Sequence, residues 1–156
     1  MRIGIIGAGK IGGSIAALLE TSAFCSEVRL ADNRPLDSLQ SLPKSSSHTL
    51  DVTSRPALQA FVESCDAIVS AAPFYLNKTI ASACADLDRS YFDLTEDVET
   101  TNFVRELSQG RRGTFMPQCG LAPGAINIIG SGIANSFKQT RSVEMRVGAL
   151  PAPDPV

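Results

Sequence analysis

The chain has 156 residues, of which 44% are hydrophobic and 19% are charged, and this length suffices for one globular domain with its own core. The formal net charge of −2 argues against nucleic acid as a partner, because such binding needs a basic surface. The apolar runs are shorter than the ~20 residues of a membrane span, and no signal peptide is recognised. We therefore expect a cytoplasmic protein that binds neither nucleic acid nor membranes.

Short apolar runs alternate with amphipathic segments along the whole chain. In the first helical segment Ile11, Ile15, Leu18 and Leu19 recur at helical spacing and predict one apolar face. The predicted strands are residues 3–6, 28–31, 49–52, 66–73 with an exit turn, 91–94, 114–117 and 143–147. The other predicted helices are residues 35–42, 56–64, 75–87, 98–109 and 123–137.

The predicted strands are almost continuously apolar, which is typical of parallel strands covered by helices on both faces. This predicts an α/β fold, a doubly wound parallel sheet of the Rossmann type with strand order 3-2-1-4-5-6. We expect one nucleotide-binding domain over residues 1–147, followed by a Pro-rich exit at 148–156.

A glycine fingerprint joins the first strand to the first helix. Gly7, Gly9 and Gly12 follow the apolar residues 3–6 directly, and a carboxylate, Asp32, stands at the end of the next predicted strand. Strand, G-x-G-x-x-G, helix and a later acid together indicate a site for NAD or NADP. The alternative is a glycine-rich turn that binds nothing.

Each glycine has a physical reason in such a site. Gly7 allows a sharp turn, Gly9 leaves room for the pyrophosphate, and Gly12 lets the helix pack closely on its strand. The backbone N–H groups of Lys10, Ile11 and Gly12 then lie in the first helical turn without intrahelical acceptors. With the positive end of the helix dipole, these donors form a phosphate site.

Asp32 lies 20 residues after Gly12, the spacing at which a carboxylate accepts hydrogen bonds from the ribose hydroxyls. The same charge repels a 2′-phosphate, which favours NAD. Asn33 and Arg34 follow, and an arginine in this place can pair with a 2′-phosphate, so NADP stays open. Asp32 is also a residue type that begins turns, and the two roles are compatible.

Two more segments follow strands at the edge of the sheet where such folds bind ligands. Asp51 and Val52 follow the third predicted strand, and we expect them beside the adenine. After the fourth strand, small residues allow the backbone to run close to the cofactor: Ser70, Ala71, Ala72 and Pro73. Ordinary loop chemistry is the alternative for both segments.

A second glycine-rich turn, at residues 117–124, follows the sixth predicted strand. Pro123 is predicted at the first helical position, which would give a second free helix N-terminus near the nicotinamide. Gly120 and Asn127 are therefore candidates for the edge of the site. A plain connection between strand and helix is the alternative.

No catalytic residue or metal site is predicted. The four cysteines, Cys25, Cys65, Cys84 and Cys119, lack the spacing of metal ligands, and His48 is the only histidine. We expect buried, reduced cysteines, with Cys119 near the site as an exception, and His48 in a solvated loop. Among the acids near the edge of the site, Asp93, Glu96 and Asp97 are typical of helix caps.

The motifs together resemble the saccharopine dehydrogenase family, which includes saccharopine reductases and lysine 6-dehydrogenase-like enzymes. The resemblance rests on residues 7–12 (GAGKIG), 70–74 (SAAPF), 91–96 (YFDLTE) and 119–124 (CGLAPG), and it covers nearly the whole chain in order. It implies pyrophosphate contacts at Gly9, Lys10 and Ile11, a ribose contact at Asp32, and cofactor lining at Ala71, Ala72 and Pro73. It also implies that the turn at 120–124 borders the nicotinamide and an amino-acid substrate.

Members of that family continue into a second domain that carries much of the substrate site, and the Pro-rich segment 148–156 resembles the crossing to it. The resemblance therefore implies the cofactor-binding half of an NAD(P)-dependent oxidoreductase acting on the C–N bond of an amino acid, inactive by itself. Surface left by a missing domain would favour a homodimer. The alternative is a non-catalytic dinucleotide sensor that acts through a partner.

Overall fold

The computed structural model of the protein describes residues 1–35, 42–146 and 148. Six strands form one parallel sheet in the order β3-β2-β1-β4-β5-β6, as predicted. The strands are β1 (Arg2–Ile6), β2 (Glu27–Asp32), β3 (Ser45–Thr49), β4 (Ala67–Ser70), β5 (Ser90–Asp93) and β6 (Phe115–Met116). The helices are α1 (Lys10–Glu20), α2 (Arg55–Glu63), α3 (Asn77–Asp86), α4 (Val98–Leu107) and α5 (Ala125–Asn135).

The sheet has an apolar core on each face, because successive side chains of a strand point to opposite sides. On one face Ile3 and Ile5 of β1 pack with the helix α1. On the other face Ile6 packs with α2, α3 and α4, and α3 lies between the other two helices. The described helices α1 to α4 therefore cover both faces, as the apolar strands predict.

The prediction for the third strand was wrong. We expected residues 49–52, but β3 is Ser45–Thr49, and among the described strands it pairs with β2 alone. A strand at the edge of a sheet is only half covered, so polar residues can form it. His48 consequently lies on a strand and not in a solvated loop. It is half-buried, its ring is edge-on to Phe61, and burial, more than the nearby Arg29 charge, lowers its pKa.

The apolar face of α1 is displaced from the predicted one. Gly12 and Ala16 are the buried residues, with Ile15 and Leu19 partly buried beside them, whereas Ile11 and Leu18 are exposed. The predicted helix at 35–42 falls mainly on residues outside the described ones.

The C-terminal part of the chain also differs from the prediction. Residues 143–146 form no strand, and residue 147 is not among the described ones. The neighbouring strand, β6, has only two residues, so it offers little backbone for a further partner. Instead Met145 and Val143 lie against Gly130 of α5.

Candidate functional site

A groove runs along the edge of the sheet where β1, β2, β4 and β5 end. It consists of two adjoining cavities, which share Ala72. The wider cavity, of about 610 Å³, lies beside the ends of β1 and β2, and the narrower one, of about 490 Å³, lies beside the ends of β4 and β5. The groove therefore occupies the place where doubly wound sheets bind ligands.

The turn between β1 and α1 separates the two halves of the groove. Gly7 has φ +103°, and a Cβ there would lie 2.6 Å from the carbonyl carbon and oxygen of Ala71. A Cβ on Gly12 would overlap the carbonyl oxygen of Gly7. Both observations confirm the predicted conformational reasons for these glycines, a sharp turn and close packing.

The N-terminus of α1 is open to a ligand. The first helical hydrogen bond runs from the N–H of Gly13 to the carbonyl oxygen of Gly9, and no described residue accepts from the N–H groups of Lys10, Ile11 or Gly12. Gly9 and Lys10 are exposed, and a Cβ on Gly9 would meet no atom within 4 Å. Free donors beneath empty space fit a diphosphate.

Asp32 ends β2 at the opening of the wider cavity, and its side chain is only 13% exposed. Its carboxylate accepts hydrogen bonds from the backbone N–H groups of Ala8, at 2.9 Å, and Arg34, at 3.2 Å. Burial alone would raise the pKa of this carboxyl, but those two donors and the Arg34 charge outweigh burial and lower it. Asp32 is thus held as an anion next to the α1 turn.

Most of the other predicted residues also line the groove. Asn33, Arg34, Asp51, Val52 and Pro73 border the wider cavity, whereas Ile11 and Ala71 border the narrower one. Gly9, Lys10 and Gly12 border neither cavity.

The carboxylate of Asp51 accepts hydrogen bonds within its own turn. Its Oδ1 accepts from the N–H and the hydroxyl of Thr53, at 2.9 and 2.7 Å, and these hydrogen bonds lower its pKa. The loop interpretation of Asp51 is therefore valid, although its position also borders the wider cavity.

The exit from β4 holds a buried polar pair that the sequence prediction missed in part. The hydroxyl of Ser70 is buried and donates to Oδ1 of Asn77 at 2.7 Å, and both residues line the narrower cavity. Sequence analysis named Ser70 but not Asn77. The only available signal was the position of Asn77 at the start of the helix that follows β4.

A second buried polar pair ends β5. The Tyr91 hydroxyl donates to Oδ2 of Asp93 at 2.9 Å, while Oδ1 of Asp93 accepts the backbone N–H groups of Thr95 and Gln118. Burial, with the adjacent Asp93 charge, raises the pKa of Tyr91, so it stays a neutral donor. Asp93 is thus a buried acceptor and not the predicted helix cap.

Asp97, in contrast, confirms the capping prediction. It is the N-cap of α4, and its Oδ1 accepts the backbone N–H of Thr100 at 2.7 Å.

The predicted second free helix N-terminus is wrong. The N–H groups of Ala125 and Ile126 donate to the carbonyl oxygens of Gly120 and Leu121, and those of the next two residues donate to Gly124. Pro123 precedes the helix instead of beginning it, because α5 starts at Ala125 with Gly124 as N-cap.

The loop before α5 folds back on the helix and satisfies its first turn. Asn127 accepts the N–H of Gly124 and so serves the helix. Gly120 lines a separate hollow with Cys119, and from this loop only Ala122 borders the groove. Cys119 is exposed, whereas Cys25, Cys65 and Cys84 are buried, as predicted.

Fold and groove define a dinucleotide-binding domain of the Rossmann class. Residues 3–113 match the saccharopine dehydrogenase NADP binding domain, and the chain therefore belongs to the saccharopine dehydrogenase family. The chain accordingly binds NAD(P). No helix in the described ranges is both long and apolar enough to cross a membrane.

Solved structures share the fold. Saccharopine dehydrogenase (L-Glu forming) from Saccharomyces cerevisiae is 18% identical with a TM-score of 0.72, over 86% of this chain and 31% of that one. A putative oxidoreductase from Klebsiella pneumoniae is 16% identical, with a TM-score of 0.60, over 75% of this chain and 34% of that one. A putative myo-inositol dehydrogenase from Sinorhizobium meliloti 1021 is 21% identical, with a TM-score of 0.55, over 75% of this chain and 35% of that one. The chain thus spans about a third of each.

Proposed function

We propose that this chain is the NAD(P)-binding part of an oxidoreductase that acts on the C–N bond of an amino acid. The observation that carries the proposal is the open N-terminus of α1, where three N–H donors that no described residue engages lie beneath the empty space over Gly9. Family membership supports the amino-acid substrate class. A sensor without catalysis is not favoured, because the matching family is named for a dehydrogenase.

The residues of this chain bind and orient the dinucleotide. The α1 N-terminus holds the diphosphate, Asp32 accepts the adenosine ribose hydroxyls, and Asp51 and Val52 border the adenine. Ala71, Ala72 and Pro73 line the path from one cavity to the other. The bound nicotinamide supplies hydride transfer, and the chain directs it towards the ends of β4 and β5.

A further domain completes the substrate site in this proposal. The match covers only 31–35% of each of the proteins with similar structures. The helix α5 is apolar on several sides, yet none of its residues is buried, and Ile128, Ile129 and Ile133 are 56–77% exposed. A helix that is apolar all round is normally covered. Residues 1–147 form the cofactor domain here, and 148–156 lead to the domain that covers α5.

The cofactor site is tested by replacing Gly9 with valine. Because a Cβ there meets no protein atom, Gly9→Val keeps the fold, but its side chain fills the space of the diphosphate. Titration calorimetry with NADH and NADPH should show binding to the wild type and none to Gly9→Val. Circular dichroism checks the fold.

Gly13→Val is the matched control, since a Cβ at Gly13 also meets nothing within 4 Å, and the N–H of Gly13 already donates to the Gly9 carbonyl oxygen instead of being open to a ligand. It should bind like the wild type. Equal affinity of Gly9→Val and wild type would refute the site. Cytoplasmic location and homodimer formation stay predictions.

A further inference from the structure

Asn77 is a buried polar residue on the wall of the narrower cavity. It is the first residue of α3, is 2% exposed and lines the cavity together with Ser70 and Thr95. The cavity is reached from Asp32 by crossing the α1 turn and Ala72. A dinucleotide whose adenosine lies beside Asp32 and whose diphosphate lies on α1 therefore places its nicotinamide half here.

Among the described residues, the side chain of Asn77 has a partner at its carbonyl end and none at its NH₂ end. Its Oδ1 accepts the hydroxyl of Ser70 at 2.7 Å, and Ser70 is itself 1% exposed. No acceptor for the two Nδ2 hydrogens is found within residues 1–35 and 42–146. Nδ2 is not among the fully buried side-chain atoms that lack a partner, so it is accessible from the cavity that Asn77 lines.

The polar side chains on β5 are engaged with each other and with the backbone. The Tyr91 hydroxyl donates to Asp93, and the Asp93 carboxylate also accepts two backbone N–H groups. None of these contacts involves the Asn77 amide. Ser70 therefore orients Asn77 by holding its carbonyl, which leaves Nδ2 as a fixed donor at the cavity wall.

We propose that Nδ2 of Asn77 donates a hydrogen bond to an oxygen of the nicotinamide-ribose half of the bound dinucleotide. Asn77 is a binding residue in this proposal, and Ser70 is a positioning residue that acts through it. The inference rests on the proposed function, because it requires a dinucleotide in the groove. It adds an amide donor to a half of the site for which the sequence predicts only the small residues Ser70, Ala71, Ala72 and Pro73 beside the cofactor.

The test compares NADH with ADP, which lacks the nicotinamide-ribose half. Asn77→Asp keeps an acceptor for Ser70 but removes the amide donor. Its dissociation constant for NADH should rise about 5- to 10-fold, as for one lost hydrogen bond, while that for ADP stays within about twofold. Ser70→Ala should give a smaller loss for NADH and none for ADP. Asn102→Asp on the exposed side of α4 is the matched control and should change neither constant.

A direct readout comes from ¹⁵N NMR spectra. The side-chain amide signals of Asn77, identified by their absence in Asn77→Asp, should shift with NADH and stay unmoved with ADP. If Asn77→Asp fails to fold, the signals are assigned from triple-resonance spectra of the wild type, and Ser70→Ala tests the affinity. Unmoved signals with NADH, or equal losses for NADH and ADP, would overturn the role of Asn77. A wild type that binds neither compound would overturn the proposed function, and the inference with it.

Discussion

At the scale of single residues, Asp32 shows how a sequence spacing becomes a charged site. The spacing from Gly12 places its carboxylate at the end of β2, and the fold then supplies two backbone donors. Arg34 lies with Nε 3.6 Å from Oδ1 of Asp32 and is 81% exposed. Arg34, which can pair with a 2′-phosphate, is thus attracted to Asp32, whose charge repels a 2′-phosphate.

We expect Asp32→Asn to shift cofactor preference. The amide still accepts the Ala8 N–H but has no charge, so NADH affinity should fall by about 1.5–3 kcal/mol, the range for hydrogen bonds to charged groups. The affinity for NADPH should fall much less, or rise, because Arg34 can then pair with the 2′-phosphate. The measurement is the ratio of the two dissociation constants, with Asp32→Asn/Arg34→Ala as the control. A wild type that prefers NADPH, and loses that preference in Arg34→Ala, would contradict the expectation for NAD.

The pH dependence of stability should also report on Asp32. The folded protein lowers its pKa, so the carboxylate stabilises the fold above the unfolded pKa of about 3.9, and this contribution is lost as pH falls through the folded value. The loss of stability between pH 7 and about pH 3 should therefore be smaller in Asp32→Asn than in the wild type. Urea midpoints at both pH values measure it, and an equal loss in both proteins would speak against the assignment.

At the scale of elements, α1 explains an error of the sequence prediction. Helical spacing assigned Ile11 and Leu18 to the buried face, but the helix approaches the sheet through Gly12 and Ala16. The contact stripe follows the smallest residues, because only they allow the close approach to the Gly7 carbonyl. Ile11 is thereby left at the narrower cavity.

Two neighbouring glycines of α1 should consequently respond in opposite ways to alanine. Gly12→Ala should lower the free energy of unfolding by about 1–3 kcal/mol, because its Cβ overlaps the Gly7 carbonyl oxygen. Gly13→Ala should raise it by up to about 1 kcal/mol, since alanine favours the helix and meets no atom. Urea unfolding of both variants measures these changes. Effects of the same sign would contradict the claim that the close approach of Gly12 to the Gly7 carbonyl oxygen excludes a Cβ.

At the scale of the whole molecule, the core of the described residues is formed by the sheet, by α1 to α4 and by adjoining loops, and α5 contributes no buried residue to it. Replacing both Ile129 and Ile133 with glutamine should therefore change the free energy of unfolding of this chain by no more than about 0.5 kcal/mol. Ile68→Ala, in the core, should cost about 2–5 kcal/mol. Urea unfolding compares them. A large loss in the double variant would mean that these isoleucines are already packed within the 156 residues.

The sequence by itself determined the fold class, the strand order and the glycine turn before α1, because these depend on local signals. At the turn from β1 to α1, Gly7 is needed for its positive φ, and Gly12 is needed for the close packing of the helix. Asp97 caps α4, which begins at the next residue. Only the tertiary structure decided the polar edge strand at Ser45–Thr49, the bonded N-terminus of α5 and the partnership of Ser70 with Asn77. Each of these features depends on which segments the fold brings together and on which polar groups already have a hydrogen-bond partner. A local sequence pattern contains neither kind of information.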